Sequence, residues 1–170
     1  MIPKYNKEKL KNAVLYIAKN GGNDVGKKKL AKILYFIDFT LYELRKKSLT
    51  EIAYTKQDFG PMPEPKLFYN ALSILQKEGD IEMGKPNHFN LEKINAKKEA
   101  DMNVFSPEEI EQIKDITEKY RLCNAGELEK IAQSEPPYKM VEYQEEIPYH
   151  LAFYRNSFGE MDLKDENSNT

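Results

Sequence analysis

The chain has 170 residues, of which 40% are hydrophobic and 32% charged, and its formal net charge is -2. These values are typical of one soluble, folded domain and exclude a disordered or fibrous protein. The charge gives no global electrostatic case for binding nucleic acid or an anionic membrane, because such binding usually accompanies a strong positive excess. It leaves room for a local basic patch.

Cysteine usage and hydropathy indicate the compartment. Cys123 has no second cysteine with which to form a disulfide, and no apolar run of signal-peptide type opens the chain. Both observations favour the cytoplasm. The most apolar window, residues 30–44, contains charged residues and is shorter than the ~20 residues that a membrane span needs. We therefore expect a buried helix there and no membrane partner.

The first two predicted helices are separated by a glycine-rich loop. Leu10, Val14 and Ile17 recur at helical spacing and predict a helix over residues 7–19. A second helix, predicted over residues 27–47, has two opposed apolar faces when positions advance ~100° per residue. One face is aliphatic (Leu30, Ile33, Leu34, Ile37, Leu41, Leu44) and the other is aromatic (Tyr35, Phe39, Tyr42).

Two interpretations of the second helix stay open. A helix that is apolar all round is usually a core helix between two layers. Alternatively, the aliphatic face is core, and the aromatic face with Asp38 forms a contact surface for a partner. A buried Asp38 would need compensation, for which Lys32 and Arg155 are candidates.

The segment after this helix is rich in proline. Residues 50–59 predict a short strand, and Gly60 to Pro65 predict a rigid turn, since proline disfavours the interior of a helix or sheet. A third helix then ends at Gly79. Residues 81–83 and 88–91 predict a hairpin with a four-residue loop. Three helices followed by a hairpin is winged-helix order.

The last third of the chain has clear start signals. Ser106-Pro107-Glu108-Glu109 predicts a helix start, Asn124 predicts another cap, and Pro136-Pro137 predicts a break. Residues 138–154 are expected to clasp the core, and residues 156–170 to be a disordered polar tail. The prediction is a single domain over residues 1–155, mainly α with a small β-hairpin or short antiparallel sheet, of the α+β class.

Signals for catalysis or metal binding are weak. A zinc site needs about four ligands, and the chain offers one cysteine and the distant His88 and His150. Hydrolase motifs are missing, and residues 21–29 lack the spacing of a phosphate-binding loop. The three lysines that end this segment leave an acidic partner as an alternative to a solvated helix start. We predict no catalytic, cofactor or metal site, and no enzyme.

The motifs of the second helix and the proline-rich segment resemble one known family. Residues 30–38, then Tyr54, then residues 59–63, are similar to the Panacea domain, the SocA-like, phage-associated family. The resemblance continues in residues 105–120 and 128–138 and covers roughly residues 8–150. Where that family often has a histidine and then a tryptophan, this chain has Gln133 and Tyr138.

The resemblance implies an antitoxin that neutralises a small protein toxin by direct contact, in at least one branch as an adaptor for a cytosolic protease. The family positions carried over for partner binding are Lys32, Tyr35, Asp38, Phe59, Gly60 and Pro61. The aromatic face adds Phe39 and Tyr42, the proline-rich segment adds Pro63, and Tyr138, in place of the family's tryptophan, can supply an aromatic wedge. The alternative is a DNA-binding transcriptional regulator with a winged-helix-like fold, suggested by element order and by scattered lysines, although nucleic acid is not favoured.

Overall fold

The computed structural model describes residues 5–155. The predicted tail over residues 156–170 lies outside the described residues, and the domain boundary at 155 stays a prediction.

Helices dominate the fold. They are α1 (Lys7–Asn20), α2 (Lys27–Arg45), α3 (Pro65–Lys77), α4 (Pro107–Tyr120), α5 (Ala125–Gln133) and α6 (Pro136–Lys139). The strands are β1 (Tyr54–Gln57), β2 (Gly60–Pro63), β3 (Ile81–Met83), β4 (Ile94–Ala96) and β5 (Glu146–Ile147), and two 3-10 helices span Met102–Val104 and Tyr149–Tyr154. The predicted class, mainly α with short antiparallel sheets, is confirmed.

Helix α2 lies in the middle of the domain, and every residue from Lys29 to Phe39 is buried. On one side Phe36 stacks on Tyr120 of α4, with ring centroids 4.5 Å apart. On the other side Phe39 packs against Tyr149 at 4.9 Å. The core-helix interpretation therefore describes α2, since both apolar faces gain more by burial than by facing water.

The expected exposure of the aromatic face is consequently wrong for three predicted site residues. Tyr35, Asp38 and Phe39 are each 0% exposed. The layer that covers them consists of β1 and the segment after residue 145, because Tyr54 and Tyr149 pack edge-on or tilted against the aromatic face. This also confirms that residues 138–154 clasp the core. Tyr42 is only half-buried.

The segment Gly60–Pro63 is a strand, which corrects the prediction of a turn outside any sheet. It pairs antiparallel with β1, from Tyr54 opposite Pro63 to Gln57 opposite Gly60, and β5 pairs with the other side of β1. The backbone N–H of Glu64 donates to Ala53 O (2.8 Å), so the even-numbered residues of β2 direct their backbone N–H and C=O groups toward β1. Pro61 and Pro63 face away, and an edge strand tolerates missing donors on that side.

The second hairpin is longer than predicted. Strand β3 pairs with β4, with Ile81 opposite Ala96 and Met83 opposite Ile94, so residues 84–93 form the loop and residues 88–91 are not a strand. Ile94 is buried and donates its N–H to Val25 O (2.8 Å), whereas Phe89 is 78% exposed. Helices α1 to α3 precede the β3–β4 hairpin as predicted, and the β1–β2 hairpin lies between α2 and α3.

The capping predictions are confirmed. Ser106 and Glu109 form a reciprocal capping box at α4, and Asn124 and Glu127 form another at α5. The break predicted at Pro136 follows the end of α5 at Gln133. Pro136 also begins α6, because proline is favoured in a first helical turn.

Candidate partner-binding site at the β1–β2 turn

A narrow cleft opens where the tip of the β1–β2 hairpin meets the start of α2. Its free volume is about 10 Å³, and we name it the turn cleft; it is lined by Lys27, Lys28, Ala31, Lys32, Phe59, Met62 and Tyr69. Helix α2 supplies the basic wall, β2 and the turn supply the apolar wall, and Tyr69 of α3 closes one side.

Lys32 is the unusual group in this cleft. The residue is 1% exposed, and its Nζ has no hydrogen-bond partner among the described residues. Burial lowers the pKa of Lys32 to about 8, with Glu129 opposing this effect and Lys28 adding to it. Buried ammonium groups are normally paired, because leaving water without compensation is costly. Lys32 therefore holds a destabilising charge that Glu129 offsets only in part and that no hydrogen bond satisfies among the described residues.

Gly60 provides the space beside Lys32. Its φ of +102° is a conformation that side chains rarely adopt, and a β-carbon there would lie 3.1 Å from Lys32 Cε and 3.6 Å from Lys32 Nζ. Glycine is therefore required at position 60 for two reasons: the backbone conformation at the start of β2 and the space beside the Lys32 ammonium.

Helices α5 and α6 fix the turn from their side. Gln133 Nε2 donates to Asp58 O (3.0 Å), and the Tyr138 hydroxyl donates to Gln57 O (2.8 Å). A histidine and a tryptophan, the residues expected from the family resemblance, also carry N–H donors. Glutamine and tyrosine at these positions therefore keep two hydrogen bonds that hold the turn.

Lysine side chains lie over aromatic rings around the turn, and we call this group the lysine–aromatic surface. Lys28 Nζ lies 4.6 Å from the Phe59 ring centroid, Lys27 Nζ 5.3 Å from Tyr69, and Lys56 Nζ 4.4 Å from Tyr138. These distances are within the range of cation–π attraction. The Asp58 carboxylate here is hydrogen-bonded to the Tyr143 hydroxyl, and this bond raises the pKa of Tyr143. The surface presents positive charge together with apolar area.

Asp38 has partners other than those expected. Its carboxylate accepts hydrogen bonds from Thr50 N (2.7 Å), Thr50 Oγ1 (2.7 Å) and the Tyr54 hydroxyl (2.6 Å), and neither Lys32 nor Arg155 pairs with it. Burial raises the pKa of Asp38 to about 6, against the opposing effect of these hydrogen bonds. Asp38 therefore anchors the beginning of β1 and is not available to a partner.

Arg155 is instead paired with Glu135, the residue before α6. Its Nε donates to Glu135 Oε1 (2.9 Å), and its Nη1 donates to Thr40 Oγ1 (3.0 Å). The Tyr35 hydroxyl donates to the same Glu135 oxygen (2.8 Å), and burial raises the pKa of Tyr35 well above its usual value. Tyr35 thus positions α6 from the core.

The structure brings together some of the predicted site residues and separates others. Lys32 and Phe59 line the turn cleft, Gly60 lies beside Lys32, Tyr138 supports the turn, and Pro61 and Pro63 are buried in β2. Tyr42 lies ten residues along α2 from Lys32, roughly 15 Å away on the helix axis, and stacks on Tyr149 (5.4 Å).

Sequence reasoning did not select Lys28, Tyr69 or Gln133 as site residues. Only Lys28 carries a local signal, since it precedes Lys32 by four residues and so shares its face of the helix. The tertiary fold brings Tyr69 to the cleft and Gln133 to the adjacent turn.

The described residues, 5–155, offer neither a metal site nor a helix able to span a membrane. They contain no group of three or more His, Cys, Asp or Glu side chains arranged to hold a metal ion. In the same range, each helix is too short or too polar to cross a membrane.

Comparison with known families gives a match over most of the site. A family model described as "Antitoxin SocA-like, Panacea domain" matches residues 30–139, which include Lys32, the β1–β2 hairpin, α5 and α6. No curated protein and no solved structure matches the chain. Because the family match covers well over half of the 170 residues, this chain belongs to the SocA-like antitoxin family with a Panacea domain.

Proposed function

We propose that this protein neutralises a cognate protein toxin in the cytoplasm by binding it directly, and that the turn cleft and the lysine–aromatic surface form the binding site. The family match carries the antitoxin role. The location of the site is supported by the family positions Lys32 and Phe59-Gly60, which are 27 residues apart in sequence and adjacent in the fold.

The composition of the surface fits protein recognition. Phe59 and Tyr138 are half-buried, and Tyr69 is 44% exposed, so a partner can contact rings that the fold already holds in place. Aromatic side chains lose little conformational entropy on binding and often supply most of the affinity of an interface. The hydrogen bonds from Gln133 and Tyr138 restrain the turn before a partner arrives.

A co-expression experiment tests the proposed function. The reading frame adjacent to this gene is expressed alone and together with the antitoxin, and growth is measured. We expect a lethal or growth-arresting product that the wild-type chain neutralises, and a complex of the two purified proteins in size-exclusion chromatography. Absence of toxicity, or toxicity without rescue and without a complex, would contradict the proposal.

A matched pair of variants tests the location. Phe59→Ala should weaken the complex by about tenfold or more, as expected for an aromatic anchor. Phe89→Ala removes an equally large but 78% exposed ring from the loop 84–93 and should leave affinity unchanged. Thermal unfolding checks that both variants remain folded. Equal affinities for the two variants would remove the turn from the binding site.

The fate of the toxin separates two modes of neutralisation. If the antitoxin only masks the toxin, the toxin's half-life in cells should be unchanged or longer when both are expressed. If the antitoxin delivers the toxin to a cytosolic protease, the half-life should fall, and it should recover when that protease is deleted. A pulse-chase measurement distinguishes the two.

A further inference from the structure

Lys32 combines three properties that a purely structural residue would not need. It carries a charge, it is 1% exposed, and its ammonium has no hydrogen-bond partner among the described residues. An apolar side chain of similar length would fill the same space without the cost of desolvating the charge. Glu129 offsets the burial only in part, so the ammonium gains a hydrogen-bonded counter-charge only when a second group supplies one.

The surroundings of Lys32 indicate which group can do so. The free volume of the turn cleft, about 10 Å³, is room for about one water-sized group, such as one oxygen of a carboxylate. A tetrahedral phosphate with its four oxygens is too large to enter as a whole. Gly60 borders the end of the Lys32 side chain, since a β-carbon there would lie 3.1 Å from Cε and 3.6 Å from Nζ.

The rim of the cleft adds positive charge and apolar surface. Lys28 and Lys27 are exposed lining residues whose ammonium groups lie over the Phe59 and Tyr69 rings. An Asp or Glu side chain entering here has a basic rim for its approach and aromatic rings for its methylene groups. In contrast, the whole chain has a net charge of -2, which disfavours a polyanion such as nucleic acid.

We propose that the turn cleft binds an Asp or Glu side chain from an acidic segment of the protein partner, and that Lys32 Nζ is the buried counter-charge for that carboxylate. This inference rests on the proposed function for the identity of the partner, the toxin. It goes further in naming the chemistry that the partner must present: an exposed carboxylate on a segment narrow enough to reach past Phe59.

A small-molecule titration tests the cleft without any toxin. Lysine residues are labelled with ¹³C at Cε, and the Lys32 signal is assigned by its disappearance in Lys32→Met. Addition of N-acetyl-glutamate methylamide should shift this signal saturably, while N-acetyl-glutamine methylamide should not, and the Lys47 signal should move with neither. Failure of the glutamate compound to shift Lys32, or a stronger response to inorganic phosphate, would overturn the proposal.

A double-mutant cycle with the toxin provides the second test. Lys32→Met should weaken the complex by about 30-fold or more, the cost of removing one side of a buried charge pair. The control Lys47→Met, at an exposed lysine after the other end of α2, should not. Each acidic residue of the toxin is then changed to its amide. One such change should weaken binding to the wild type and have no effect on binding to Lys32→Met.

The outcomes of the two proposals are distinguishable. If the wild type neutralises the toxin but Lys32→Met binds equally well, or if no acidic toxin residue couples to Lys32, the carboxylate site is wrong and the antitoxin role stands. If the wild type neutralises nothing, the antitoxin role is wrong, and the titration alone decides whether the cleft binds a carboxylate.

Discussion

Replacing Lys32 by Met should stabilise the free protein at neutral pH. Methionine keeps the length and flexibility of the lysine stem but carries no charge. The charged groups that act on Lys32 are Glu129 of α5, which favours the ammonium, and Lys28 of α2, which opposes it, and burial outweighs both. The difference between the ordinary pKa of 10.5 and about 8 corresponds to ~3 kcal/mol of folding free energy lost while the ammonium is charged.

The gain should depend on pH in a defined window. The pKa of Lys32 is about 8 in the folded chain and near 10.5 in the unfolded chain, so between these values the unfolded chain binds more protons. Stability of the wild type should therefore rise with pH through this window. Lys32→Met lacks the titration, so its advantage should be full below pH 8 and should shrink as pH rises toward 10.5.

Urea and thermal unfolding at pH 7 and pH 9.5 measure both effects. For a chain of this size, ~3 kcal/mol corresponds to a melting temperature higher by about 6–12 °C at pH 7. Lys47→Met, which removes an exposed lysine, should change neither value. A variant at Lys32 that is less stable than the wild type at pH 7, or whose advantage is the same at both pH values, would refute the reasoning.

Three further predictions concern the groups around α2. The pKa of Asp38 is about 6 in the folded chain against 3.8 in the unfolded chain, so its contribution to stability is full below pH 3.8 and is lost as pH rises through 6. The wild type should therefore lose up to ~3 kcal/mol of unfolding free energy between pH 4 and pH 7, whereas Asp38→Asn should not. Urea unfolding at both pH values measures the difference. Gly60→Ala should cost about 1–3 kcal/mol through its positive φ and its close approach to Lys32 Cε, seen in thermal unfolding. Arg155→Ala should lower the unfolding free energy by about 3 kcal/mol, because it leaves Glu135 without its cation. Arg155→Lys should restore only part of this stability, and thermal unfolding measures both variants.

Local signals were sufficient to predict most helices. The capping boxes at Ser106 and Asn124 depend on residues three positions apart, and both form as the sequence indicates. The strand over Gly60–Pro63 could not be predicted in the same way. Two prolines argue against a strand, and only the register with β1, set by residues 53–57, places them where no donor is needed.

For the candidate site, the sequence indicated some of the residues that meet at the turn but not their exposure. The motifs identified Lys32, Phe59 and Gly60, yet Lys32 is buried beside Gly60 of β2 and is acted on by Glu129 of α5, which lies about a hundred positions further along the chain. Likewise, the aromatic face of α2 was consistent with either core or surface until Tyr149 was placed against Phe39. Periodicity indicates that a face is apolar, and only tertiary contacts determine what covers it.

The buried motif residues of α2 still contribute to the site, because they hold the β1–β2 hairpin along the helix. Asp38 binds the Tyr54 hydroxyl at the start of β1, and Lys32 lies beside Gly60, just past the turn. Six helical residues separate Asp38 from Lys32, a rise of about 9 Å, and the strand from Tyr54 to Gln57 covers about 10 Å. The two lengths match, so α2 sets where the turn lies. A substitution at Asp38 should therefore weaken partner binding by displacing the hairpin, without any contact between Asp38 and the partner. Tyr54→Phe, which loses only the hydroxyl, should shift the Lys32 Cε signal in the free protein. An unchanged signal would show that the position of the turn does not depend on the hydrogen bond between Tyr54 and Asp38.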